Sequence, residues 1–245
     1  MSAHRLMSAS LVTLILLSVP APAPAAKDSG HKIDLVWTHP DYATVGPKSI
    51  AFMPAVSWNN DLPSEHTAED AAANAFKGLA YRWLSPRTVQ ALLLARPSAD
   101  SLWKEQRGAL LKRARVDSLA APALCSALHA RALLTFFVEE LERQDLEWNE
   151  TGRPSTMVQV RAALVDSTGR LLWSAAGSER GEGQMQDATS GMTRVDASGL
   201  SNAPATGTGK SPEPREVFSK LFARWVERFP APPVAPAAPA APSTP

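Results

Sequence analysis

The sequence contains a single cysteine, Cys125, and this scarcity excludes several kinds of site. One thiol cannot form an internal disulfide, a redox pair or a zinc centre built on cysteines. No cysteine lies beside the N-terminal apolar run either, so no lipid anchor is predicted. Cys125 falls in an apolar helical stretch, and we interpret it as a small, buried core residue.

An excess of charge of one sign is also absent, because 25 Lys and Arg are balanced by 24 Asp and Glu. Residues 1–26 contribute only Arg5 to these totals, so the chain without them has 24 charges of each sign. A neutral chain lacks the basic surface that binds phosphate backbones. Nucleic acid is therefore not an expected partner.

Long hydrophobic runs are missing as well. The clearest apolar run, residues 11–19, is far shorter than the roughly 20 residues that span a bilayer. It follows the basic Arg5 and precedes Ala23-Pro24-Ala25, a small-residue pattern that signal peptidases accept. We predict a signal peptide over residues 1–26, cleaved after Ala25 or Ala26. An uncleaved anchor helix is the alternative. No transmembrane segment is predicted in the mature chain, whose expected location is the periplasm or the medium.

Export predicts a defined new N-terminus. Protein recovered from the periplasm or the medium should begin at Ala26 or Lys27 when it is sequenced from its N-terminus, because a peptidase cuts after the small residues of such a pattern. A recovered chain that retains Met1 and sediments with membranes would contradict the prediction.

Two further segments have few of the large apolar residues that a core needs. Residues 230–245 are nearly all Pro and Ala, which favours an extended, polyproline-like tail. Residues 184–212 are rich in Gly, Ser, Thr and Asp and predict a flexible loop. The remainder, 27–183 together with 213–229, has a length that suits one domain with its own core.

Apolar runs and period-two alternation predict strands at residues 33–37, 49–56, 81–84, 131–141, 158–164 and 170–178. The run 131–141 is apolar on both faces, as expected of a central strand. A tight turn at Asp166 to Gly169 should join the last two strands into a hairpin. On the return strand, Leu171, Trp173 and Ala175 are expected on one face.

Helices are predicted at residues 67–80, from Pro86 onward, and at 101–115, 122–129 and 214–229. Thr67 is the expected N-cap of the first, and Ser85-Pro86 should begin the second. The order of elements predicts an α/β (α+β) fold, in which helices flank a mixed β-sheet of about five to six strands.

The C-terminal helix is strongly amphipathic. One stripe along it consists of large apolar side chains: Val217, Phe218, Leu221, Phe222, Trp225 and Val226. At about 1.5–3 kcal/mol per fully buried large apolar side chain, the stripe represents on the order of 10 kcal/mol. We expect it to pack on the sheet, and a membrane-surface or partner-binding face is the alternative.

One segment ends like a phosphate-binding loop, Pro204 to Ser211, with the residues Gly207, Gly209 and Lys210. That loop needs a glycine where Pro204 stands, so that a backbone N–H can face the phosphate. No buried strand leads into the segment. Nucleotide binding is therefore not predicted.

No catalytic, cofactor-binding or metal-binding residues are predicted. Two histidines on one helix face with a glutamate between them, as in zinc hydrolases, do not occur, and His66 near Glu69 is interpreted as solvated. His129 is expected at the C-terminal end of a helix, close to its carbonyl groups. A Gly-x-Ser-x-Gly nucleophile elbow is missing. The adjacent Glu139 and Glu140 are expected to point to opposite faces of a strand.

Four stretches carry a resemblance to one protein group: Val36-Trp37-Thr38-His39-Pro40-Asp41-Tyr42, Ser49-Ile50-Ala51-Phe52-Met53-Pro54, His129-Ala130-Arg131-Ala132-Leu133-Leu134 and Asp166-x-x-Gly169-x-x-x-Trp173. Together they resemble the α/β domain of the bacterial envelope group of the curli-secretion protein CsgG, the penicillin-binding-protein activator LpoB and the TolB N-terminal domain. The likeness covers about 33–183 and the last helix. It implies a module of envelope assembly, secretion or regulation that works by contact. Many members are outer-membrane lipoproteins, and this chain departs from them in having no cysteine to carry a lipid.

The leading hypothesis is therefore an exported, non-enzymatic envelope module that needs no cofactor and binds an envelope protein or a cell-wall component. The sheet edge and the Pro/Ala tail are the candidate contact regions. The alternative is a periplasmic hydrolase whose site residues are scattered along the chain. An enzyme should gather titratable groups in one deep pocket, and a binding module should present a shallow apolar or edge-strand surface.

Overall fold

The computed structural model describes residues 34–113, 118–147, 150–186, 195–196, 199–200 and 209–233. The predicted signal peptide and most of the predicted loop and tail lie outside these ranges. Pro204 and Gly207 of the phosphate-loop-like segment lie outside them too.

The strands are β1 (Asp34–Thr38), β2 (Ser49–Phe52), β3 (Val56–Ser57), β4 (Arg82–Leu84), β5 (Ala132–Gln144), β6 (Ser155–Asp166), β7 (Leu171–Glu182), β8 (Val195–Asp196) and β9 (Gly199–Leu200). The helices are α1 (Tyr42–Val45), α2 (Leu62–Phe76), α3 (Pro86–Leu94), α4 (Pro97–Arg113), α5 (Ala121–Leu128) and α6 (Pro214–Glu227).

The main sheet is mixed and has the strand order β1-β7-β6-β5-β2-β4, with the short β3 beside β5 as a seventh strand. β2 runs parallel to β4 and β5, whereas β5, β6, β7 and β1 are antiparallel neighbours. This confirms the predicted α/β class with flanking helices and a C-terminal helix. The expected run at 49–56 divides into β2 and β3 around Pro54, which has no N–H for a strand ladder.

The first face of the sheet is covered by α2 and α6. Val217, Phe218, Leu221, Phe222 and Trp225 of α6 are fully buried there in one core cluster with side chains of β5, β6 and β7. The apolar stripe of the C-terminal helix therefore packs on the sheet. Val226 is only partly buried and lies at the margin of the cluster.

The second face is covered by α3, α4 and α5. Their core cluster includes Ala51 of β2, Leu133 and Phe137 of β5, and Val165 at the end of β6. Farther along this face the side chains are more open: Leu35 on β1 is 67% exposed, and Arg161 on β6 is exposed. Among the described residues, the helical layer on the second face thus stops short of β1 and β7.

The turn chemistry of the hairpin is as predicted. Gly169 has φ +84°, and a Cβ there would lie 2.6 Å from the carbonyl oxygen of Ser118. The Asp166 carboxylate accepts hydrogen bonds from the backbone N–H groups of Thr168 and Arg170 at 2.8 and 2.9 Å. Ser85 caps α3 by accepting from the Thr88 N–H at 3.2 Å.

Two local predictions are wrong. Helix α2, the first of the predicted helices, begins at Leu62 and not at Thr67, because the extended backbone of Asp61 and a proline in the first turn already favour a helix start there. Thr67 lies inside the helix, where its hydroxyl donates to the Pro63 carbonyl at 2.7 Å. On β7, Leu171 does not share the face of Trp173. Trp173 lies opposite Leu164 and Leu171 lies opposite Val165, so Leu172 is an extra residue that shifts the register, and Leu171 is 38% exposed.

The flanks of the predicted loop are bound to the body of the protein. The Gln186 and Gly152 backbones exchange hydrogen bonds at 2.8 and 3.0 Å, and the Leu146 N–H donates to the Gly209 carbonyl at 2.7 Å. Ser211 donates from its N–H and its hydroxyl to the Asp145 carboxylate, at 2.7 and 2.5 Å. Both bonds favour the ionised carboxylate and lower the pKa of Asp145.

Candidate binding surface

The part of the second face that no described helix covers forms a groove of about 1270 Å³. Its floor is made by β7, β6 and β5, and we call this floor together with β1 the open face. One wall is formed by Leu110 of α4 and by Ser118 in the turn before α5. The opposite rim is β1, the edge strand of the sheet.

The floor of the groove consists largely of small side chains. Ala163 of β6 lies opposite Ser174 of β7, and Ala176 and Ser178 continue the same row of β7. All four are partly exposed. Small side chains leave room for the backbone or side chains of a second element to approach the sheet closely.

The rim carries two large apolar side chains. Leu35 and Trp37 alternate with Val36, which packs against the first-face core, and are 67% and 44% exposed. The Trp37 ring stands edge-on to the His39 ring at 5.9 Å between centroids. A third apolar side chain, Leu171, also lines the groove. Sequence reasoning predicted the strand but not its exposure.

A pair of opposite charges lies on the floor. Arg161 Nε is 2.8 Å from Glu139 Oε1, and Gln159 Nε2 donates to Glu139 Oε2 at 2.9 Å. The prediction that Glu139 and Glu140 point to opposite faces is wrong, because a bulge interrupts the pairing between Val138 and Glu140. Glu139 contacts second-face residues, and Glu140 lies directly opposite Gln159. Glu139 is thus held by both Arg161 and Gln159 on the floor of the groove.

Strand β1 is held in place by an ion-pair network with α6. Arg224 binds Asp34 of β1 with Nε to Oδ2 at 2.6 Å, and its other side reaches Glu179 of β7. Burial alone would raise the pKa of Asp34, but the hydrogen bonds and the charge of Arg224 outweigh it and leave that pKa lowered. The network fixes the rim of the groove relative to its floor.

A second buried carboxylate cluster lies near the end of β3, away from the groove. Glu65 accepts from the Ser57 N–H at 2.9 Å and from the Ser57 hydroxyl at 3.0 Å, and Arg107 pairs with it at 2.8 Å. The pair with Arg107 compensates the buried charge of Glu65. Burial raises the pKa of nearby Glu69, against the opposing effect of the Ala55 N–H bond.

The sequence-derived candidates for chemistry lie apart. Cys125 is buried, and burial together with the charge of Asp166 raises the pKa of its thiol to about 12, which disfavours a nucleophilic thiolate. His129 ends α5 with φ +52°, and its Nε2 lies 3.2 Å from Arg96. His66 is exposed, 3.6 Å from Glu69.

Within the described residues, no three or more His, Cys, Asp or Glu side chains come together as a metal site. The helices of this part of the chain include none that is long and apolar enough to cross a bilayer.

Comparison with known proteins gives no family model and no curated protein that matches this chain. Solved structures give matches at low identity. The PelC dodecamer from Paraburkholderia phytofirmans is 18% identical over 78% of this chain and 94% of that chain, with a TM-score of 0.40. The lipoprotein GNA1162 from Neisseria meningitidis is 21% identical over 56% of this chain and 84% of that chain, with a TM-score of 0.42. The hypothetical protein CT253 from Chlamydia trachomatis is 11% identical over 73% and 95%, with a TM-score of 0.37.

Proposed function

We propose that this chain is an exported, non-enzymatic module of the cell envelope that binds a protein partner on the open face. The observation that carries the proposal is the groove itself, with its floor of small residues and its exposed apolar rim at Leu35 and Trp37. Large apolar side chains that are exposed together on one surface are typical of an interaction site.

The shape of the groove favours a helical segment of the partner. Neighbouring strands are about 4.8 Å apart, so the neighbours β1, β7, β6 and β5 together span about 14 Å. A helix with its side chains is about 10–12 Å wide. Helices α3, α4 and α5 already cover the rest of this face. A partner helix would occupy the next position in that layer.

The polar groups of the groove define the chemistry of that helix. Its apolar face would contact Leu35, Trp37 and Leu171, and the small residues of the floor would allow a close approach. The Arg161–Glu139 pair lies on the floor at the β5 side, where it can exchange its mutual contact for polar side chains of the partner. We therefore expect an amphipathic helix with charges of both signs along one margin.

Photo-cross-linking in cells with their native envelope tests this function. A photoreactive phenylalanine in place of Leu171, which lines the groove, should give a discrete protein adduct, because the partner helix would lie within reach. The matched control is the same replacement at Leu94, which is 68% exposed on α3. Adduct from position 171 alone supports the proposal. Equal labelling from both positions, or from neither, would contradict it.

A further inference from the structure

Strand β1 is an edge of the main sheet that lacks the usual protection against pairing. In the described part of the chain, only β7 pairs with it. Its five residues, Asp-Leu-Val-Trp-Thr, include no lysine, proline or glycine, and no bulge interrupts its pairing with β7. The opposite edge, β4, has only three residues and begins with the exposed Arg82. Short edges and exposed positive charges discourage edge-to-edge association, and β1 has neither feature.

The residue pattern of β1 is complementary to itself. In an antiparallel pair centred on Val36, Leu35 of one copy lies opposite Trp37 of the other, and Trp37 lies opposite Leu35. Directly opposite residues project to the same face of a sheet, so both apolar pairs fall on the second face, where these side chains are now exposed. Val36 meets Val36 on the first face, and Asp34 meets Thr38.

From this pattern we propose that a second copy of this chain pairs with β1, antiparallel and about a two-fold axis at Val36. The two main sheets then form one continuous sheet, with the order β5-β6-β7-β1 continuing into β1-β7-β6-β5 of the second copy. A two-fold contact of this kind uses the same surface on both copies and closes without forming a filament.

The charge carried by β1 itself does not oppose the contact. The only charged residue of β1, Asp34, is already paired with Arg224 of its own chain, and the positive charge of Arg228 also acts on it.

The buried area predicts a modest affinity. Five strand residues extend only about 17 Å at about 3.4 Å each, and the contact adds two apolar pairs to one ladder of backbone hydrogen bonds. Such an interface lies at the low end of specific interfaces, below about 1,200 Å² in total, where association is weak and depends on concentration. We expect a dimer that dissociates in the micromolar range.

In the dimer, the second copy extends the groove beyond β1, where the groove of a single chain ends. On one chain the floor ends at Leu35 and Trp37, whereas in the dimer it continues into the same strands of the other copy. This consequence rests on the proposed function, but the dimer itself does not, because it needs only the edge of β1.

Sedimentation equilibrium of the exported chain over a range of concentrations tests the dimer. The mass should rise from one chain to two and no further. Leu35→Lys should raise the midpoint concentration by about tenfold or more, because it places a charge in both apolar pairs. Leu94→Lys, at a site of nearly equal exposure, should leave it unchanged. A monomer at all concentrations, a larger assembly, or equal effects of both variants would overturn the proposal.

The register is tested by disulfide formation. A mixture of Leu35→Cys and Trp37→Cys chains should cross-link faster than either variant alone, because only unlike positions lie directly opposite each other. Native Cys125 is buried and should not take part. Faster cross-linking of one variant with itself would mean a register shifted by two residues and would overturn the two-fold at Val36. The adduct from position 171 is measured separately, so either proposal can fail without the other.

Discussion

Trp225→Ala should lower the free energy of unfolding by about 3–5 kcal/mol, as expected for a fully buried large aromatic side chain. The Trp225 side chain has no exposed surface, and its ring lies 5.5 Å from that of Phe222 and 6.3 Å from that of Trp173, between centroids. Its Nε1 also lies 3.4 Å from Asp34 Oδ1. The substitution would therefore leave a cavity between α6 and the sheet.

Urea unfolding followed by circular dichroism measures this effect, with Lys220→Ala as the control. Lys220 is exposed on the same helix, so its loss should change stability by less than about 0.5 kcal/mol. A neutral Trp225→Ala would mean that α6 does not contribute to the core. The apolar stripe would then be available to a membrane or a partner, which is the role that the sequence left open as an alternative.

The elements that the sequence predicted well are those whose hydrophobic period is strong and unbroken. Central strand β5 is apolar on both faces because helices cover both sides of its first half. The hairpin of β6 and β7 was recognised from alternation and from the glycine of its turn. The stripe on α6 was recognised from its 3.6-residue period.

The failures have local physical causes. Thr67 has the side chain of an N-cap, but the preceding Leu62-Pro63 had already begun the helix, and a threonine inside a helix can bond back to a carbonyl. The bulges at Glu139 and Leu172 broke the period of two on which both face assignments depended. A bulge inserts one extra residue into a strand, and no residue type in these two strands marks where it occurs.

The candidate binding surface could not be predicted from the sequence, because it is a region that no described helix covers. Leu35 and Trp37 have the same apolar character as buried strand residues, and alternation places them on a face without stating whether a helix covers it. Only the assembled fold shows that α3, α4 and α5 lie over β2 and β5 and leave β1 and β7 open. The small residues Ala163, Ser174 and Ala176 likewise could not be recognised as one surface before the strand register was known.

Arg224→Met should lower the free energy of unfolding by about 3 kcal/mol at pH 7, because removing one partner of a largely buried ion pair leaves the opposite charge uncompensated. Asp34 and Glu179 side chains are only 9% and 4% exposed, and Arg224 joins both of them. Methionine keeps much of the length of the side chain, so the loss reports mainly the charge. Arg215→Met, at an exposed position of the same helix, is the control and should be nearly neutral.

The loss of unfolding free energy in Arg224→Met should also depend on pH in a definite direction. Burial favours a higher pKa of Asp34, and Arg224 reverses this to a lowered pKa in the folded chain. A lowered pKa contributes stability above the unfolded value, near 3.8, and this contribution disappears as the pH falls through the folded pKa. In Arg224→Met the effect of burial is opposed only by the Trp225 hydrogen bond and the charge of Arg228, so Asp34 becomes protonated more readily and its poorly compensated charge vanishes in acid. The difference between wild type and variant should therefore be largest at neutral pH and shrink below about pH 4. A difference that stays constant in urea titrations at pH 7, 5 and 3 would show that Arg224 stabilises β1 through packing and not through its charge.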